Sequence, residues 1–533
     1  MSWIWPRSSV IKEQTKQGRR WGRFLLLLTA LSISCPLAQA AESEPPVAHK
    51  VTGRLRITYD ATTLPGNESM GLFGVNYLFN LPSSFYVGFG GYGAVDGQRG
   101  GFFTGGLEAG WEPWLVGPMY FDVGAFAGGG GGGAAPQGGG LMVRPHLGLL
   151  FKVGRERYGL AYSWVDYPNG NISSRQLAFQ FEHPVSSIFA NSSLSGRRIA
   201  ARELPPDTTT GASLSQSDFS AVAYVYSPVT GSRNTGGSPL TTQSTLVGIR
   251  WRRFIRKDQF IALEGAGAAG GETDGYAQVL ATLGYTFDFG RRRQWSILGR
   301  SGFGAGGGGA VDTGGGLLTQ TEVGLSHVWR HGLSAELGVG YVSAPEGHYQ
   351  AWTGSLRLGY AFHTLGYVRG GRRLSEDDQL DVFTWRLHSV HETYTAPAWK
   401  GAPRASTVQL IGVKSDYLLN DNFSVSGQAL AAYEGGAGGY AVGLLGAGWT
   451  SNPSLNHKLR LLVDAGLGAA GGGGIDTGGG AIAQGTIGVA YIAGKHLDLT
   501  AAYGQALALD GGLDTPVIEF GLSYRFASLG RKP

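Results

Sequence analysis

The 533-residue chain contains 91 glycines, one cysteine, only 15% charged residues and a formal net charge of +5. Glycine at this density without a strict three-residue period excludes collagen, the single cysteine excludes a disulfide scaffold, and 42% hydrophobic residues with 11% aromatics carry too much apolar surface for a disordered chain. Beyond the amino terminus no apolar run reaches the ~20 residues a membrane-spanning helix needs, so the chain is expected to fold mostly as strands.

Residues 1–40 read as a secretory signal. Arg19, Arg20 and Arg23 precede the apolar run Phe24 to Leu31, and Ala38-Gln39-Ala40 supplies the small-x-small pattern of a cleavage site. Lipidation of Cys35 is the competing reading, weakened by Ser32 three residues before it and Pro36 immediately after; export through the Sec route is preferred to a twin-arginine route. Six of the 43 basic and one of the 38 acidic residues lie in this segment, so the remainder balances at 37 of each. An exported chain without net charge has no global field to attract a polyanion, and nucleic acid is excluded as a partner.

The rest of the chain is repetitive. GAFAGGGGGGAAPQGGG from Gly124, GFGAGGGGAVDTGGG from Gly302 and GLGAAGGGGIDTGGG from Gly466 mark three copies of one unit, each ending in an aromatic-x-Phe tail at Phe181, Phe362 and Phe526. The units are placed at 48–183, 215–363 and 378–527, with linkers 184–214 and 364–377. Each contains eight alternating segments; in the third these start near Asp381, Thr407, Asn422, Gly439, Lys458, Ala481, Leu497 and Pro516. From Leu459 the odd positions Leu459, Leu461, Val463, Ala465 and Leu467 are oily, whereas Arg460 and Asp464 fall on the other face. Segments of about ten residues with this period are the mark of strands with hydrocarbon on one side and a wetter interior on the other.

Tryptophans near strand ends (Trp111, Trp114, Trp164, Trp295, Trp329, Trp449) fit the aromatic girdles of such strands. The closing run Gly521-Leu522-Ser523-Tyr524-Arg525-Phe526 resembles the terminal-strand signal of bacterial outer-membrane β-barrel proteins, although seven residues follow it here. The resemblance implies the outer membrane of a Gram-negative bacterium, contact with its lipid, and reading of Gly521, Tyr524 and Phe526 by the barrel-insertion machinery. Short turns and termini then belong in the periplasm and the glycine tips outside.

The expected fold is an all-β, transmembrane antiparallel β-barrel of about 24 strands built from three eight-strand repeats, enclosing one wide lumen lined by Asp122, Arg144, Arg300, Glu322, Glu336, Arg357, Arg460, Asp464, Glu519 and Arg525. Inward glycine, alanine, serine and threonine look too small to fill a narrow bore, which favours this arrangement. The alternative is three tandem eight-strand barrels, supported by inward charges of both signs in every unit. The first predicts a pore or translocation channel for hydrophilic solutes or an exported polymer. The second predicts a non-conducting structural or surface-interaction protein, and a lipid-modifying enzyme ranks third.

Local motifs add little chemistry. Gly265-x-Gly267-x-x-Gly270 matches a dinucleotide fingerprint but lacks the following helix; the glycine tracts are instead expected to bend the wall at the hairpin between the fourth and fifth strands. Asp312 and Asp476 read as turn aspartates rather than calcium ligands. His388 and His391 fall on opposite strand faces and cannot share an ion, and with Glu392 they are expected at the rim. Arg252, Arg253, Arg256 and Lys257, with Arg291, Arg292 and Arg293, are read as interface anchors or as a docking patch for an acidic periplasmic partner. No Ser-His-acid spacing is recognised, and no catalytic residue, metal or cofactor is expected.

Overall fold

The computed structural model describes residues 47–532 apart from 291–293, 369 and 455–457; the expected signal segment lies outside the described residues. The first group of strands is β1 (Ala48–Leu64), β2 (Glu68–Asn80), β3 (Phe85–Gly97), β4 (Phe103–Trp111), the short β5 (Trp114–Val116), β6 (Met119–Gly131), β7 (Met142–Val153), β8 (Glu156–Asp166) and β9 (Ser173–Ala190). Successive long strands pair antiparallel, and β1 also pairs with β9 from Ala48↔Ala190 to Asp60↔Ala178. The ladder therefore closes on itself after eight long strands.

It closes twice more. After the short β10 (Arg198–Ala200) come β11 (Ser213–Pro228), β12 (Ser244–Phe254), β13 (Gln259–Gly270), β14 (Ala277–Phe289), β15 (Trp295–Gly307), β16 (Leu317–Val328), β17 (Leu333–Ser343) and β18 (Gln350–Gly366), with β11 paired to β18. After the two-residue β19 (Arg372–Arg373) come β20 (Gln379–Tyr394), β21 (Val408–Leu418), β22 (Phe423–Glu434), β23 (Ala441–Thr450), β24 (Leu459–Gly471), β25 (Ala481–Ile492), β26 (Leu497–Ala508) and β27 (Asp514–Arg531), with β20 paired to β27. We refer to these rings as barrels 1, 2 and 3.

A single 24-strand barrel would instead require β9 to pair along β11, β18 along β20 and β27 along β1, and the expectation of one wide lumen is corrected accordingly. The small inward residues, taken as a sign of a wide bore, have another cause. An eight-strand bore is just wide enough to be filled by side chains, and long ones fit only where their neighbours are short. A Cβ on Gly74 would strike the Tyr92 ring, and one on Gly110 would strike Tyr86. At the end of each barrel that carries the glycine tips, a buried apolar cluster fills the bore: Tyr92, Phe102, Phe126 and Tyr167 in barrel 1, Tyr224, Tyr226, Tyr276 and Tyr349 in barrel 2, and Tyr394, Tyr440 and Ile475 in barrel 3.

The three rings pack around a pseudo-threefold axis in a head-to-tail cycle: the third long strand of each touches the fifth of another, as β3 with β15, β13 with β24, and β22 with β6. The facing residues are small at all three contacts. A Cβ on Gly93 would lie 2.9 Å from that of Ala305, one on Gly267 would lie 3.2 Å from that of Ala469, and one on Gly129 would lie 2.8 Å from the Ala431 carbonyl oxygen. The glycine tracts join the fifth and sixth long strands, not the fourth and fifth, and they make backbone contacts between barrels: Gly100 N–H donates to Gly314 O at 2.8 Å and Gly439 N–H to Gly130 O at 3.2 Å. Many tract glycines have positive φ, including Gly131 at 130° and Gly308 at 88°, which L-residues rarely adopt.

At the opposite, terminal side, β27 runs past the aromatic tail and pairs with β9 at Ala527↔Ala190 and with β18 at His363↔Arg531. Ile188, Leu214, Leu365, Leu380 and Leu529 from the three barrels pack there with Leu204 of the first connecting segment. Phe526 lies 5.0 Å from Phe189 and Phe383 lies 5.6 Å from Phe362.

Candidate functional site in the barrel interiors

Alternation along the strands sends charge inwards and hydrocarbon outwards. Leu147, Leu149 and Phe151 on β7, Leu283, Tyr285 and Phe287 on β14, and Ile487, Val489 and Tyr491 on β25 are exposed, while their alternating neighbours are mostly shielded and include buried polar groups. Inward arginines and carboxylates would be costly to bury unless paired. In barrels 1 and 2 they are.

In barrel 1 the Arg56 guanidinium, fully buried, reaches Glu108 at 2.6 Å, Glu182 at 2.7 Å, and Glu112 and Asp122 at 3.2 Å. Arg54 meets Glu112 at 3.1 Å, Arg144 meets Asp60 at 3.0 Å, and Arg157 bridges Glu112 and Glu182. His146 Nε2 lies 3.0 Å from Asp122. In barrel 2, Arg250 binds Glu336 at 2.6 Å, and Arg252 binds Asp218 at 2.5 Å and Glu336 at 3.1 Å. Arg300 meets Glu322 at 3.0 Å, Arg357 meets Glu322 at 2.7 Å and Glu336 at 3.2 Å, and Arg300 and Arg357 both donate to the Tyr224 hydroxyl.

Barrel 3 is built differently. Arg386 meets Asp416 at 3.0 Å, His388 reaches the same carboxylate at 2.9 Å, and Lys414 meets Asp464 at 2.8 Å. Glu392 accepts from the amides of Gln428 and Gln484 at 2.6 and 2.7 Å. The side chains of Arg460, Arg525 and Glu519 make no hydrogen bond or ion pair among the described residues. A small cavity of about 20 Å³, room for a single water, lies among Lys414, Gln428, Asp464, Gln484 and Glu519.

The ten residues expected along one lumen are thus divided among three bores: Asp122 and Arg144 in the first, Arg300, Glu322, Glu336 and Arg357 in the second, Arg460, Asp464, Glu519 and Arg525 in the third. Sequence reasoning passed over Arg56, Glu108, Glu182, Asp218, Glu264, Lys414 and Asp416, although each shares its strand's inward face. Tyr524 and Phe526 stand on the outer face of β27, stacked at 6.3 Å, with Gly521 on the inner face.

Two expectations are corrected. Arg252 is not part of a surface patch, because it is buried in the bore of barrel 2; Arg253 donates to Ser215, Arg256 is exposed, and Arg291, Arg292 and Arg293 lie outside the described residues. His388 and Glu392 are not rim residues but are buried inside barrel 3, His388 mid-strand and Glu392 towards the glycine-side end of β20, with His391 on the outer wall bonded to Tyr433 at 2.9 Å. Ser523 is the register partner of His388, whose Nε2 lies 2.9 Å from Asp416. The Ser523 hydroxyl makes no hydrogen bond, however, so no proton relay is formed. Asp312 accepts from Gly314 N–H at 3.2 Å and contacts His348 at 2.7 Å, and Gly267 faces Ala469 from within β13.

No family model matches the chain, and no curated protein matches it. Among solved structures it is similar to the outer membrane protein opdK from Pseudomonas aeruginosa (11% identity, 90% of this chain and 99% of that one, TM-score 0.20). It is also similar to the ferric enterobactin receptor PfeA of Pseudomonas aeruginosa (9%, 91% and 82%, TM-score 0.25) and to the ferric citrate transporter FecA (10%, 91% and 79%, TM-score 0.23).

Proposed function

We propose that the chain lies in the outer membrane of a Gram-negative bacterium as a raft of three closed barrels, displaying its glycine-side loops at the cell surface, and that it acts as a structural or surface-interaction protein rather than as a wide pore. Outward leucines, phenylalanines and tyrosines on strands of all three rings, above inward ion pairs, suit a bilayer and would aggregate in water. The observation that carries the rest is the filling of the bores: ion pairs occupy the middle of barrels 1 and 2, and apolar clusters roof all three.

Folded protein in planar bilayers is expected to be electrically silent, and large stable steps would refute the proposal. A second reading, narrow solute passage through barrel 3, is favoured by the inward Arg460, Arg525 and Glu519, whose side chains make no ion pair among the described residues. It predicts small steps that Gln484→Trp abolishes.

A further inference from the structure

We propose that the terminal-side mouth of barrel 3 is a binding site for a phosphate-type dianion held between Arg386 and Arg525. The two arginines are direct register partners on β20 and β27, and strand alternation turns both into the bore. Directly opposed residues lie about 4.5–5.5 Å apart along the ladder, where like charges repel. At the matching seam of barrel 1 the register partner of Arg56 is Glu182. A carboxylic acid in such a position could take up a proton, but a guanidinium cannot shed its charge, so opposed arginines call for a counter-anion.

The resident carboxylate does not meet that need. Asp416 is shared between Arg386 and His388, and Arg525 is left with no hydrogen bond or ion pair from its side chain among the described residues. Arg460 faces the same bore from β24 with its Nε buried and unpartnered, whereas every bore arginine named in barrels 1 and 2 has a carboxylate. Asp421 and Asp498 stand near the mouth but form no ion pair with these arginines. Ser523, 2% exposed and two residues along the same face from Arg525, has a hydroxyl without a partner and offers a neutral donor. The Arg525 guanidinium fork can present paired N–H groups to a tetrahedral oxyanion, Arg386 adds its unpartnered Nε–H, and the uncompensated charges of Arg525 and Arg460 match a dianion better than a carboxylate.

The test is isothermal titration of the full protein in nonionic detergent with inorganic phosphate. One saturable site is expected, weakened at least tenfold by Arg525→Gln and several-fold by Ser523→Ala, and unchanged by Arg233→Gln on the glycine-side loop. Arg386→Gln is avoided because it strands Asp416. No binding by protein that retains its heat-modifiable mobility, or equal binding by Arg525→Gln, would overturn the site. A short-chain phosphatidic acid that displaces phosphate would assign the site to a lipid headgroup; phosphate that resists displacement would assign it to the free anion. The titration does not depend on conductance, so an open pore would refute the closed-raft reading while leaving this result standing.

Discussion

Arg56 concentrates the energetics of barrel 1 in one side chain. Four carboxylates lie within 3.2 Å of it, all shielded from water. Removing one member of a buried charge set leaves its partners uncompensated, at a cost of about 3–5 kcal/mol. Arg56→Met is therefore expected to lower the urea midpoint of folded protein, with the loss largely recovered when Glu182→Gln is added. Arg525→Gln should behave in the opposite way and cost little or even stabilise, because it relieves a like-charge pair. The inward position of these residues was legible in the sequence: Arg54-x-Arg56-x-Thr58-x-Asp60 follows the same period as the run beginning at Arg460. Their pairing was not, because partners such as Arg56 and Glu182 are 126 residues apart and meet only when the ladder closes.

At the scale of strands and turns, the alternation predicted the segments well; the starts expected in the third unit fall within two residues of β20 to β27. Ring closure was beyond it, since a strand's own pattern says which face meets lipid but not which distant strand completes the ladder. The small residues at the inter-barrel contacts give a direct test. Gly267→Val should push Ala469 away and separate β13 from β24, whereas paired cysteines at 267 and 469 should cross-link without reagent beyond mild oxidation. The terminal side carries a second test. His496, in the turn before β26, lies 3.0 Å from the Ser192 hydroxyl, and burial holds its imidazole below the ordinary value. A lowered histidine contributes its stability above its unfolded value of about 6.5 and loses it as pH falls towards the folded one. Proteolysis of segment 191–212 is thus expected to quicken below about pH 6, and His496→Gln to flatten that dependence.

At the scale of the whole molecule, each ring closes its own wall with its long strands, and the connecting segments 191–212 and 367–378 add only the short β10 against β20 and β19 against β11 at the terminal-side edge. Cleavage in both should leave three heat-modifiable fragments, which should remain together in mild detergent because tips, seams and the terminal-side cluster still join them. Dispersal into free single barrels would show that the pseudo-threefold contacts are too weak to matter.

That cycle has a further consequence. Identical subunits arranged head to tail would carry every substitution three times over, so a costly feature introduced in one would be imposed on all. Here the three positions are written separately along one polypeptide. Barrels 1 and 2 can therefore keep self-neutralising interiors that secure the assembly while barrel 3 alone retains opposed arginines. Covalent fusion releases one member of a trimer from the obligation to resemble the others.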